Sequence, residues 1–401
     1  MNLLSEFPND LHPYELWLVL DRKLGGRGFY SGAPNNKLHL PNQGSDCRLV
    51  LDFKENQIAS IERGPAFDAT EWISIKHEIV ATLITGSRVT GREISFSSSP
   101  VSGSWTGLRS GVQILPPPVN APQPPFGCGE HPFTLEFPLA QSNLLEITKS
   151  RHRQRHRRLT LLLDLLLLPR ISLPPQRPEH FWAVVSHSDT EFDIRYVQQF
   201  YFAEFGDLIS EQPSTPTAER LQELAPEEYC EITGNDGSGL RVPADLDDQI
   251  CRYLALPIER RTKFDRALFW LDMASLQWNI SFSASFAALV SAIEVLTERG
   301  SRHSFICPKC DEQTQHETPG ATRRFVDFFE TYASGGSLKK QREKMYGLRS
   351  GILHGSKLMQ YDEDIFFGWA PNWLDEYELQ SMLWRLTRIA LRNWMENPDR
   401  V

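Results

Sequence analysis

Phe282-Ser283-Ala284-Ser285-Phe286-Ala287-Ala288-Leu289-Val290-Ser291-Ala292-Ile293-Glu294-Val295-Leu296 decides the fold class of this chain. Phe286, Leu289, Ile293 and Leu296 fall on one stripe of a helix. Upstream, Phe264, Leu268, Leu271, Ala274 and Leu276 repeat that spacing and predict a preceding helix. Downstream, Arg323 to Tyr332, Leu338 to about His354, and Glu376 to Met395 predict three more. The stretch 250–401 therefore reads as an all-α bundle.

The first half has a different rhythm. Glu15 to Leu20, Arg48 to Phe53 and Phe133 to Phe137 are short, β-prone runs separated by Gly, Asn, Pro and Ser, so the pattern from Glu15 to about Phe137 predicts strands. Pro116 to Pro132 carries too many prolines for a helix or central strand and reads as a loop. Ser142 to Leu168 is rich in Leu and Arg and predicts a helix, with Arg151, Arg155 and Arg158 along one face. That ridge reads first as a solvated face and, more sharply, as an RNA-phosphate contact. Strand patterns return at His180 to Val185 and Phe192 to Val197. Residues 210–249 are acidic and punctuated by turn signals at Gly234 to Gly239. The expected organisation is α+β: a β-rich N-terminal sensor or regulatory domain over 1–209, an acidic connector over 210–249, and the helical domain over 250–401.

With 401 residues, 40% hydrophobic and 11% aromatic, the chain has the length and composition for packed cores in more than one domain. The opening Met1 to Pro8 shows neither a basic region nor a long apolar core and predicts no signal peptide. The longest apolar run, Leu159 to Leu168, contains Asp164 and is about half the roughly 20 residues a bilayer span needs. Six cysteines without regular spacing predict a reducing cytoplasm rather than a disulfide framework. The formal charge of −9 is unevenly spread. Residues 1–249 carry 22 Lys and Arg against 32 Asp and Glu; residues 250–401 carry 20 against 19. An acidic whole excludes indiscriminate nucleic-acid binding over the full surface, and leaves local basic patches.

One such patch surrounds Tyr346-Gly347-Leu348-Arg349-Ser350-Gly351-Ile352-Leu353-His354-Gly355. Lys339, Lys340, Arg342, Lys344 and Lys357 flank Arg349, with Glu343 in opposition, and predict attraction to a phosphate backbone. Arg349 keeps its charge and forks onto phosphate oxygens, whereas His354 exchanges a proton near neutral pH. RNA brings its own nucleophile, the 2′-hydroxyl. Its cleavage needs proton transfer and stabilisation of phosphate charge, and these two side chains meet both needs without a metal. Five helical steps turn through about 500°, so Arg349 and His354 point roughly 140° apart on one ideal helix. Ser350 and His354 share a face. A second copy of the helix across a twofold axis would pool the groups.

Residues from about 258 to 396, with the Leu348-Arg349-Ser350-Gly351-Ile352-Leu353-His354-Gly355 string, resemble a HEPN domain of the ApeA-like, abortive-infection subgroup. The family's motif of Arg, four to six residues, then His maps onto Arg349 and His354. Ser350 stands where the family often has Asn or Asp. The resemblance implies a metal-independent endoribonuclease, a homodimer with a composite site, and a role in anti-phage defence answering a phage-derived trigger. It makes Arg349, His354 and Ser350 the catalytic candidates. Tyr346 and Glu294 are possible helpers of that site, though the plainer readings are core for Tyr346 and surface for Glu294. The rival reading is a non-catalytic helical domain serving dimerisation or RNA binding, with function carried by the N-terminal half.

Cys307-Pro308-Lys309-Cys310, between His303 and His316, has the spacing that presents two thiolates to one tetrahedral zinc. The two histidines would complete a four-donor set, structural rather than catalytic; the plainer reading of the stretch is a loop with two free thiols. No membrane partner is expected.

Overall fold

The computed structural model describes residues 2–6, 12–25, 28–31, 36–41, 43–54, 57–83, 87–117, 131–173, 182–186, 188, 190–196, 208–231, 239–298, 301–306, 313–335, 338–363 and 373–400. After a 3₁₀ turn at Leu3–Glu6 come α1 (Pro13–Leu24), β1 (Phe29–Ser31), β2 (Lys37–Leu40), β3 (Leu49–Lys54), β4 (Gln57–Arg63) and α2 (Ala69–Leu83). There follow β5 (Arg88–Ser97), β6 (Trp105–Thr106), β7 (Gln113–Leu115), β8 (His131–Ala140), α3 (Leu145–Leu166), β9 (Ile171–Ser172), β10 (Trp182–Ser186), β11 (Phe192–Tyr196) and β12 (Ile209–Ser210). Next are β13 (Gln222–Leu224), α4 (Pro226–Glu231), β14 (Arg241–Pro243), α5 (Leu246–Ala255), α6 (Ile258–Gln277) and α7 (Phe282–Glu294). The chain closes with β15 (Ser301–Ile306), β16 (Gln313–Thr318), α8 (Ala321–Tyr332), α9 (Lys339–Leu353), α10 (Gln360–Glu363) and α11 (Trp373–Glu396). The fold is α+β, with N-terminal strands and a C-terminal helical region.

The chain divides into two compact units, and both are discontinuous in sequence. The first comprises 1–92, 137–156 and 207–214. In it an antiparallel sheet runs in the order β1-β2-β3-β4. Leu38, Leu40, Leu49, Leu51 and Ile61 from the sheet share a core with Leu16 and Leu20 of α1 and with Trp72, Ile75 and Ile79 of α2. Two helices thus stand where strands were expected. Glu15 to Leu20 has a β-prone composition, but Pro13 opens a helix, Glu15 sits in its positive first turn, and Arg22 and Lys23 sit in its negative last turn. In α2, Trp72, Ile75, Ile79 and Leu83 are the buried positions, a helical rather than a two-residue period. Arg151 of α3 forks onto Glu15, with Nη2 2.7 Å from Oε2 and Nε 2.9 Å from Oε1. Gly91 accommodates close approach, because a Cβ there would lie 2.4 Å from the Phe137 ring.

The second unit comprises 93–136, 157–206 and 215–401. Here the end of β5 pairs antiparallel with β9, and β6, β7 and the start of β8 pair antiparallel in sequence. The predicted helix of Ser142 to Leu168 is α3, and its C-terminal carbonyls are capped by arginines of α11. Arg388 donates to the Leu165 and Leu167 oxygens at 3.0 and 2.6 Å; Arg392 donates to those of Leu165 and Leu166. Cations at the negative end of a helix satisfy both its dipole and its orphan carbonyls. Burial is complete enough to push the Arg388 guanidinium down to about 10, against the attraction of Asp164. Arg170 bonds both Asp164 and Asp272.

The acidic segment of 210–249 carries elements of its own: β13 and β14 pair in parallel, and Asp245 precedes α5. The five helices expected downstream are α6, α7, α8, α9 and α11. Phe264, Leu268, Leu271 and Ala274 of α6 are buried as the pattern required, whereas Leu276 is exposed. Among the described residues, no helix is long and apolar enough to cross a membrane. The proline stretch at 118–130 lies outside the described residues.

Candidate functional site

The start of α7 is fixed twice over. Ser281 Oγ accepts from the Ala284 amide at 3.1 Å, and the Asp362 carboxylate accepts from the amides of Phe282 and Ser283 at 2.9 and 2.7 Å. Burial pushes the Asp362 carboxyl up, but these amides and the Ser281 and Ser283 hydroxyls hold it below the usual carboxylate range. The helix then runs through buried Phe286, Leu289, Val290 and Ile293 to its last residue, Glu294.

Glu294 gathers the key side chains of α9. Tyr346, 8% exposed and packed 5.3 Å from the Phe325 ring, donates its hydroxyl to Glu294 Oε1 at 2.8 Å. Burial, and then the hydrogen bond to Glu294 and its charge, push the Tyr346 phenol up to about 12. One turn on, Arg349 Nη2 donates to Glu294 Oε2 at 2.5 Å, with the guanidinium carbon 5.7 Å from the Tyr346 ring. The Arg349 and Glu294 side chains are 20% and 28% exposed. Arg349 Nε is buried and has no hydrogen-bond partner among the described residues. Glu294 is thus more than a surface residue. A lone carboxylate ending an apolar helix was the signal for it.

His354 occupies the C-cap of α9 and is exposed. Its amide donates to the Ser350 oxygen at 3.1 Å, the Gly355 amide to Ile352 at 3.0 Å, and the Ser356 amide to Gly351 at 3.0 Å. This is a Schellman stop, with Gly355 at φ +68° supplying the left-handed residue. Ser350 is half-buried on the turn before. Among the described residues no side-chain hydrogen bond joins Arg349 to His354. One copy of α9 therefore presents the two groups separately, as the helical angle required.

The flanking cations divide into two sets. Lys339, Lys340, Lys344 and Lys357 are exposed. Arg342 is buried: it donates to the Ala333 oxygen at 2.8 Å and lies 5.9 Å from the Phe329 ring, so its charge serves packing of α8 on α9. In α3, Arg151 is taken by Glu15, and Arg158 Nε lies 3.0 Å from Asp265 Oδ2. Arg155 is half-buried.

Cys307 and Cys310 lie outside the described residues. The backbones of His303 and His316 are direct antiparallel partners across β15 and β16. Among the described residues, no three His, Cys, Asp or Glu groups gather as a metal site.

No family model, no curated protein and no solved structure matches the chain. The family resemblance rests on the Arg349 to His354 string and its helical setting.

Proposed function

We propose that the protein is a metal-independent endoribonuclease acting through Arg349 and His354. The observation that carries this reading is their placement on α9. Arg349 is half-buried near the end of α9, and His354 stands exposed at its capped end, in reach of a polymer. His354 takes the proton of the 2′-hydroxyl; the 2′-oxygen bonds to phosphorus, and the 5′-oxygen leaves with a proton from a second acid. Arg349 neutralises the non-bridging oxygens as charge builds on them. The products are a 2′,3′-cyclic phosphate and a 5′-hydroxyl. Ser350, on the His354 face, supplies a hydrogen-bonding hydroxyl.

The angle between the two groups supports a homodimer in which two copies of α9 pool Arg349 and His354 into a composite site. Lys339, Lys340, Lys344 and Lys357 draw in the RNA backbone. The family resemblance supports an anti-phage, abortive-infection role in the cytoplasm, with the N-terminal region restraining cleavage until a phage-derived trigger arrives. A hairpin zinc held by Cys307, Cys310, His303 and His316 would be structural.

The test compares wild type with Arg349→Ala and His354→Ala, reading growth arrest, RNA fragments and their ends. Cyclic-phosphate ends in wild type, lost in either folded variant, are the expected result. Engagement of Arg349 by Glu294 favours one rival, a non-catalytic domain for dimerisation or RNA binding, and identical behaviour of all three proteins would select it.

A further inference from the structure

Arg349 has five N–H donors, and two of its nitrogens differ sharply in how they are engaged by the described residues. Nη2 bonds Glu294 Oε2, while Nε is buried with no acceptor among the described residues. The other Glu294 oxygen is taken by the Tyr346 hydroxyl, so the carboxylate is pinned from two positions one turn apart on α9. A phosphodiester offers the same chemistry as a carboxylate: paired anionic oxygens for a guanidinium fork. Glu294 already fills that role.

We propose that Glu294 is a resting-state latch, holding Arg349 in place of a phosphate that must displace it before the guanidinium can act. The identity of the displacing anion rests on the ribonuclease reading; the latch itself does not. Two features separate a latch from simple interhelical glue. The held arrangement leaves a buried Nε donor unpaired among the described residues, a cost that a phosphate-bound rotamer need not carry. It also occupies Nη2 of a guanidinium that still reaches solvent, its side chain being 20% exposed, so an incoming anion can compete for it. A pair this exposed should weaken a competing anion by roughly three- to thirtyfold.

The test uses the full chain and two probes. The first is modification of Arg349 by phenylglyoxal, followed by peptide mass spectrometry, which needs no RNA. The second is anisotropy of a fluorescent 2′-O-methyl oligonucleotide, which binds without supplying a nucleophile. In E294Q, Arg349 should label several-fold faster, and the oligonucleotide should bind about three- to thirtyfold tighter. Adding R349A should abolish that tightening. E294D, which withdraws the carboxylate by one methylene, should shift both readings less and in the same direction; if E294Q does not fold, E294D decides alone. Labelling of Arg349 at an unchanged or slower rate in the folded variants overturns the latch. Faster labelling without tighter oligonucleotide binding overturns phosphate as the displacing anion. Absence of RNA cleavage alongside faster labelling counts against the nuclease reading and leaves the latch standing.

Discussion

The Tyr346 hydroxyl donates to Glu294 Oε1 across 2.8 Å, joining the middle of α9 to the last residue of α7. Because Tyr346 is nearly buried, replacing it with Phe removes a charge-assisted bond without opening a cavity. The expected loss is about 1.5 kcal/mol in urea denaturation at pH 8. The phenol is raised to about 12, so the folded state keeps its proton where the unfolded chain, near 10, gives it up. This contribution is fully present below pH 10 and fades as pH climbs toward 12. The gap between wild type and Tyr346→Phe should narrow over that window; a constant gap would place the stabilisation elsewhere.

Gly355 ends α9 at φ +68°, and a Cβ there would meet nothing within 4 Å. Any penalty for Gly355→Ala is therefore backbone strain alone, about 1–2 kcal/mol. Gly355→Asn should cost less, because Asn tolerates the left-handed region. Thermal melts should rank wild type above Asn above Ala. The RNA cleavage proposed for this site should fall in Gly355→Ala as well, since His354 is the residue that the Schellman stop positions.

The helical region was legible because α6 and α8 bury residues at intervals of three and four, which leaves its mark in sequence, whereas α7 is apolar and buried on nearly every side. The N-terminal helices α1 and α2 were harder. Leu16, Trp17, Leu18, Val19 and Leu20 form an unbroken apolar run, which has no period to read, and the deciding signals were Pro13 and the end charges. The Arg349 to His354 string was visible as chemistry. Its tie to Glu294 spans 55 positions and follows from how α7 meets α9, which no local pattern records. Arg342 shows the same limit. Its residue type matches the exposed lysines around it, and only the fold reveals that its guanidinium faces Ala333 and Phe329.

Arg392 reaches the end of α3 with two nitrogens: Nε donates to the Leu165 oxygen at 3.1 Å, and Nη2 to the Leu165 and Leu166 oxygens at 2.9 and 2.7 Å. Arg392→Ala would leave buried carbonyls short of donors, at a cost of about 1–3 kcal/mol. Arg392→Lys keeps the charge but not the fork, and should recover only part of that loss. Equal stability of all three proteins in urea would show that Arg388 alone caps the helix.

His152 gives the first unit a pH response. It is 3% exposed, its ring is tilted against that of Phe137 at 5.3 Å, and its Nε2 lies 3.0 Å from the Arg92 oxygen, which the neutral ring serves as donor. Burial pushes its imidazole below the usual value, only partly offset by the Arg92 hydrogen bond, and the Arg153 charge adds to the depression. The unfolded chain, titrating near 6.5, then takes up the proton before the folded one does. Stability from this group is thus intact above about pH 6.5 and declines as pH falls below it. His152→Gln, which keeps a donor for Arg92 but has no titrating ring, should lower stability at pH 7.5 and flatten the decline toward pH 5.5. Denaturation of both proteins at the two pH values checks this, and parallel declines would assign the acid sensitivity to other groups.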